Sequence, residues 1–304
     1  MTVQLRACKE MDEFEACVRI QIATWGYDES DVVPRKSFLL AQKIGGQVIG
    51  AFEAGSKGAS ERGSEKTGSK GAREQENRDQ GTEGTREQEN REQGSEGTRE
   101  QGSEDERETL VGFALSLPGV KIVEGRPTPY LHSHMLAVLP SHRNRGLGTQ
   151  LKWEQRREAL SRGIRHMEWT FDPLEIKNAF LNIHRLGAIC REYRVNFYGV
   201  SSSRLQGGLP TDRLLAEWEL DSPQVEALIA SRPAAERTIE ERIVVPASIE
   251  QWKASEATRE RAFAVQLENR QKFQQAFSRG LAVLGFTLDA EGNGVYEFGS
   301  YSRS

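Results

Sequence analysis

A hydrophobic strand that runs straight into an arginine- and glycine-rich turn constrains this chain more than any other stretch. Residues Met135 to Leu139 read as the end of a strand, and Pro140 terminates it. Arg143, Asn144, Arg145, Gly146 and Gly148 follow, and an amphipathic helix opens near Leu147. The first N–H groups of a helix have no partner inside it and carry partial positive charge. Glycines let a bulky anion approach them, and the arginines add full charge. The combination suits a pyrophosphate. A P-loop needs lysine directly after its last glycine, and Thr149 stands there instead. A dinucleotide fingerprint needs a third glycine, and Gln150 and Leu151 occupy the wrong places.

The 304-residue chain has a net charge of −4, which argues against a global field for nucleic acid or an anionic membrane. Cys8, Cys17 and Cys190 are far apart, so the simplest setting is a reducing cytoplasm. The N-terminal residues lack the apolar core of a signal peptide, and no apolar run approaches the ~20 residues of a membrane span. A cytoplasmic protein without nucleic-acid or membrane partners is expected.

From Glu53 to Thr109 there is no Val, Ile, Leu, Met, Phe, Tyr or Trp. The segment repeats with a period of 13, in blocks that begin at Gly71, Gly84 and Gly97. It has no apolar area to bury against its ordering entropy, so a disordered low-complexity insert is predicted over 53–109. The strands predicted at Gln47 to Phe52 and Leu110 to Leu117 make it an overgrown hairpin tip. Loop-closure cost rises only logarithmically with length, so a fold tolerates such an insert.

Around it, a first helix carries Met11, Phe14, Val18, Ile22 and Trp25 on one face, and a second runs from Pro34 to about Lys43. Leu131 to Leu139 is a third strand, followed by the turn and a helix to about Arg162. Arg165 to Phe171 is a strand with His166, Glu168 and Thr170 on one face. A helix from Glu175 to Arg185 follows, then strands at Val195 to Val200 and Leu214 to Leu220. Beyond these, a short helix opens at Ser222-Pro223, and Arg242 to Val245 is a brief strand. Ser248 and Gln251 suggest a capping box for a long helix reaching Ser278. A hairpin closes the chain.

The stretch Val138-x-Pro140-x-x-Arg143-x-x-Gly146-x-Gly148, between a strand and a helix, resembles the acyl-CoA signature of the GNAT acyltransferases. The element order over residues 1–220, without the insert, is similar to that family's. The wording around Trp169 to Leu174, Asn178 to Asn182, Arg185 to Ala188 and Asn196 to Gly199 resembles a bacterial branch of predicted acetyltransferases with a C-terminal extension. The resemblance implies an α/β (α+β) fold: a splayed, mixed, mostly antiparallel sheet flanked by helices. Residues 1–220 would form the acyl-CoA-binding domain. Residues 221–304 would form an α+β extension packed on it or on a second subunit, the latter making a homodimer.

The resemblance also implies a site. Acetyl-CoA would be the co-substrate and an unidentified amine the acceptor, with no metal. Leu136, Ala137 and Val138 would offer backbone to the pantetheine arm, and backbone N–H near Leu136 would polarise the thioester carbonyl. Arg143, Asn144, Arg145, Gly146, Leu147, Gly148 and Thr149 would wrap the pyrophosphate. Asn178 is either a contact to the CoA arm or a cap of its helix. The family's thiolate acid, a tyrosine, falls at Ile183 here and is absent; His184, Tyr193 and Tyr198 lie nearby. His132 and His134 match a His-x-His pair that serves the amine through water in one branch. Two apart on a strand, they project to one face and are either bases or core histidines. Glu168 and Asp172 are rival bases or salt-bridged carboxylates. The chain reads as an N-acyltransferase working by direct attack; the alternative is a non-catalytic acyl-CoA-binding or regulatory module.

Overall fold

The computed structural model describes residues 3–54, 108–199, 201–233 and 237–301. The predicted insert lies outside the described residues except at its two ends, as does Val200.

Among the described residues, ten strands form one open sheet in the order β1-β2-β3-β4-β5-β7-β6-β9-β10-β8. They are β1 (Val3–Ala7), β2 (Gln47–Glu53), β3 (Thr109–Val123), β4 (Arg126–Val138), β5 (His166–Phe171), β6 (Ile189–Arg194), β7 (Arg213–Glu219), β8 (Glu241–Val245), β9 (Leu281–Leu288) and β10 (Gly294–Ser300). All described pairings are antiparallel except β4 with β5. The helices are α1 (Met11–Trp25), α2 (Arg35–Lys43), α3 (Leu147–Ser161), α4 (Ile176–Ala179), α5 (Pro223–Ile229), α6 (Ile249–Ala254) and α7 (Arg259–Ser278). This is the mixed, mostly antiparallel GNAT-like fold that the sequence predicts.

The two faces of the sheet carry different cores. Phe14, Cys17 and Ile20 of α1 and Phe38 of α2 pack with Phe113, Leu115, Met135 and Ala137. On the other face, Leu147 and Leu151 of α3 pack with Val111, Ala114 and Leu136. A larger core joins Met167, Trp169 and Phe171 of β5 to Ile183, Trp218, Phe273, Tyr296 and Phe298. The last three come from beyond residue 220, so the closing elements share one apolar interior with the strands before them.

Several elements differ from the sequence reading. The chain begins with strand β1, not a helix; five residues are too few for a period to declare itself. β6 ends at Arg194, and no strand covers Val195 to Gly199. Asn196 is left-handed there at φ 46°, and its side chain accepts from Thr211 N at 3.1 Å, making a turn. The helix before Gly187 is α4 for one turn and then a π-helical turn over Phe180–Arg185. The long helix expected from Ser248 breaks at Ser255, which is extended, and Ser248 makes no capping bond. Ser222 does cap α5, accepting from Val225 N at 3.4 Å.

Candidate active site

The site begins where β4 and β5 part. Only Leu131 with Met167 and His132 with Glu168 are in register between them. Beyond these pairs β5 continues against β7, while Leu136, Ala137 and Val138 pair with Ala114, Phe113 and Gly112 of β3 on their other side. The backbone edge of β4 that faces β5 is thus left without a strand partner from Ser133 onward. A bulge sits at this fork: Leu115 pairs with Met135 and Ser116 with Ser133, so His134 is the extra residue. The bulge shifts the alternation of side chains. Met135 joins the α1/α2 core and Leu136 the α3 core.

The strand then feeds the arginine turn. A 3₁₀ turn at Pro140–His142 leads to Asn144 at φ 61° and Gly146 at φ 78°. Both left-handed conformations turn the backbone sharply into α3. The first helical bond is Gln150 N to Gly146 O at 3.0 Å, and no side chain caps α3. The N–H groups of Leu147, Gly148 and Thr149 therefore open outward at a helix N-terminus. Arg143, Asn144, Arg145 and Gly146 are exposed, Gly148 and Thr149 half-buried and Leu147 buried. Arg143 Nε donates to Val138 O at 3.1 Å, which bends its guanidinium back toward the strand end. A methyl on Gly148 would make ordinary contact with Leu136 of β4 at 3.8 Å and with Leu181 of the π-helical turn at 3.9 Å.

His132 and His134 lie side by side, with ring centroids 6.3 Å apart. His132 is half-buried and His134 exposed. Burial holds the His132 pKa below its ordinary value, helped by His134 and Lys152 and opposed by Glu168. The protein packed around His134 lowers its pKa as well, although its ring reaches solvent. Both are neutral at pH 7 and able to accept a proton.

Glu168 lies opposite His132 in register. Burial alone would raise its pKa. Hydrogen bonds from His166 and Lys121 and the Lys121 charge outweigh burial and hold it at about 2. Lys121 Nζ is 3.0 Å from its carboxylate, and His166 Nε2 is 3.6 Å from it. A carboxylate held that low is a weak proton acceptor. Thr170, further along this face, shares a 2.8 Å hydrogen bond with the Tyr198 hydroxyl. Tyr193 is buried: burial and its 2.7 Å hydrogen bond to Asp212 raise its pKa, which makes it a poor acid. Ile183 is buried in the core. Asp172 accepts from Leu174 N and from Lys253, both at 2.8 Å, and is a structural carboxylate. Asn178 is exposed within α4 and caps nothing.

Sequence reasoning missed Lys152 and Gln155. Both are buried on the α3 stripe that continues Leu151, where apolar residues are the rule. Two long polar side chains at helical spacing on an apolar face were the available signal. Among the described residues, no cluster of three or more His, Cys, Asp or Glu side chains suits a metal, and no helix is long and apolar enough to cross a membrane.

Residues 72–181 match the model of the Acetyltransferase (GNAT) family. No curated protein matches the sequence. Among solved structures, NAA60 of Arabidopsis thaliana with acetyl-CoA is 12% identical, covering 73% of this chain and 100% of its own, with a TM-score of 0.47. The N-acetyltransferase from Staphylococcus aureus Mu50 is 15% identical, with 73% and 100% covered and a TM-score of 0.42. The ribosomal-protein-S18-alanine N-acetyltransferase of Escherichia coli is 12% identical, with 73% and 96% covered and a TM-score of 0.41. The chain carries a domain of the GNAT acetyltransferase family.

Proposed function

We propose that the protein is an acyl-CoA-dependent N-acyltransferase that moves acetyl from acetyl-CoA to an amine by direct attack. One observation carries the reading: the fork between β4 and β5 opens beside an uncapped, arginine-flanked helix N-terminus. An extended thioester with a charged pyrophosphate fits that pairing of features. The backbone of Leu136, Ala137 and Val138 offers unpaired edge groups for the pantetheine arm. Arg143, Arg145 and the N–H groups of Leu147, Gly148 and Thr149 offer positive charge for the pyrophosphate, with Asn144 and Gly146 shaping the turn. Asn178 is free to approach the CoA arm from α4.

On the opposite face His132 and His134 are the bases in this reading. The acceptor ammonium gives up a proton to one of them, directly or through water, and its nitrogen attacks the thioester carbon. Donors at the bulged backbone stabilise the oxyanion. Glu168 holds Lys121 and His166 in place and lends His132 a nearby negative charge. Residues 1–220 form the catalytic unit and 221–304 its extension. A non-catalytic acyl-CoA-binding module is the second reading, favoured by Ile183 at the position of the family's tyrosine.

Release of free thiol from acetyl-CoA across a panel of amines separates the two. The enzyme reading expects amine-dependent release that falls roughly 10²-fold in the His132→Ala/His134→Ala double variant. Binding without release for every amine supports the module instead.

A further inference from the structure

Lys152 is 2% exposed, and among the described residues no ion pair involves it. An ammonium stripped of water without a counter-ion is costly, and helix α3 gains nothing there that methionine would not supply. Its position is telling. Nζ donates to Ser133 Oγ at 2.7 Å and lies 3.5 Å from the centroid of the Trp169 ring. Ser133 and Trp169 each stand one residue beyond the last register pair of β4 and β5, His132 with Glu168. The amine therefore bridges the two strands at the point where they separate. Its surroundings are half-finished. Ser133 Oγ donates onward to Gln155 Oε1 at 3.1 Å, while Gln155 Nε2 is buried and has no partner among the described residues. Of the nearest titratable groups, His132 on β4 feels its charge, Glu168 of β5 is paired with Lys121, and Glu158 of α3 is bonded to Gln47. None of them pairs with Nζ.

We propose that Lys152 is the proton donor to the sulfur that leaves the thioester, taking the role for which Ile183 has no chemistry. This rests on the acyl-CoA reading above, which puts the thioester in the fork. As the carbon–sulfur bond breaks, the electron pair stays on sulfur and a proton passes to it from Nζ, leaving a neutral amine and free CoA thiol. The acceptor nitrogen loses two protons in going from ammonium to amide. One restores Lys152 and the other goes to solvent. Burial lowers the Lys152 pKa and makes the ammonium a stronger acid than an exposed lysine, closer to a thiol in acidity. The same cation, lacking a carboxylate, is suited to a transient thiolate.

The test uses the full chain with CoA itself. Calorimetry measures CoA affinity, and ultraviolet absorbance of the bound thiolate against pH measures its ionisation. In the unmodified protein the bound thiol is expected to ionise about 1–3 pH units below free CoA, the usual effect of an adjacent opposite charge. Lys152→Met should bind CoA and lose that shift. Lys152→Arg should keep the shift, since it keeps the charge, yet slow acyl transfer at least ~10-fold, since arginine gives up no proton. Bound CoA in the unmodified protein that ionises no lower than free CoA overturns the inference even if no variant folds. So does an undiminished shift in Lys152→Met. Failure of the unmodified protein to bind CoA overturns the acyl-CoA reading instead, and the inference with it.

Discussion

At the residue scale, the site rests on two kinds of local constraint. Gly146 holds φ 78°, which costs a residue with a Cβ about 1–3 kcal/mol. Gly146→Val should therefore lower the unfolding free energy and weaken acetyl-CoA binding at least ~10-fold, or about 1.4 kcal/mol. Arg143→Glu should weaken binding similarly with stability unchanged. Calorimetry and urea melts distinguish the two. For the histidines, pH carries the argument. Their pKa values are depressed in the folded protein, chiefly by burial. Between the folded and unfolded values the unfolded chain binds more protons, so stability rises with pH across that window and is lost as pH falls through it. Acid below the ordinary histidine range should destabilise the protein. His132→Asn should flatten that dependence, as seen in denaturant midpoints against pH. Transfer should follow the same direction, falling as the pair protonates.

At the element scale, the extension after residue 220 is tied to β5 and β7 by ionic contacts. Lys253 of α6 places Nζ 2.8 Å from Asp172 and 2.6 Å from Glu175, at the end of β5 and the start of α4. Arg270 of α7 donates to both oxygens of Asp212, at 2.8 and 3.2 Å. Tyr296 of β10 donates to Pro173 O at 2.8 Å. Lys253 and Tyr296 thus converge on the segment between β5 and α4, and Arg270 on the residue before β7. Lys253→Ala leaves two carboxylates buried without their cation. We expect it to cost about 3–5 kcal/mol, the range for breaking a buried pair from one side. A denaturant titration that finds less than 1 kcal/mol would mean water reaches the carboxylates. In the sequence alone, this region shows no strong apolar pattern. Its strands are short and its helix interrupted at Ser255, so no single element carries a strong period. The apolar set becomes visible only when Phe273, Tyr296 and Phe298 converge from three positions on one cluster.

At the scale of the whole molecule, the sheet runs through both halves of the chain. β9 lies beside β6, with Cys190 paired to Val283, and β10 and β8 extend the edge. A chain ending at Leu220 would expose β6 as an edge and strip the stacked ring of Phe273 from Tyr193. It should be insoluble or lack a cooperative melt by circular dichroism. The opposite outcome is expected at the hairpin. Glu53 pairs directly with Thr109, so a two-residue Asn-Gly turn in place of residues 54–108 closes β2 and β3 without altering their register. The replacement loses the partly exposed Arg6–Glu108 pair, worth about 0–1 kcal/mol. The melting temperature should change little, and a large drop would assign the replaced segment a packing role.

What the sequence determined by itself was local. The strand, the arginine turn and the helix opening at Leu147 are contiguous, and their chemistry lies in residue type and spacing. The paired histidines and the absence of a tyrosine at Ile183 were equally plain, and the order of elements was legible apart from β1 and the placing of β6. The fork itself was decided by tertiary structure, because it depends on β4 and β5 parting after His132 and Glu168, which lie 36 residues apart in the chain. The bulge at His134 needed β3 as its reference. Glu168 became a weak base only once Lys121 of β3 reached it beside His166 of its own strand. Lys152 and Gln155 stand out in the sequence only as polar residues on an apolar stripe, and their burial was decided when α3 lay down on the sheet. Burial and the distance between remote residues are properties of packing, and a linear pattern encodes them only where an apolar period is unbroken.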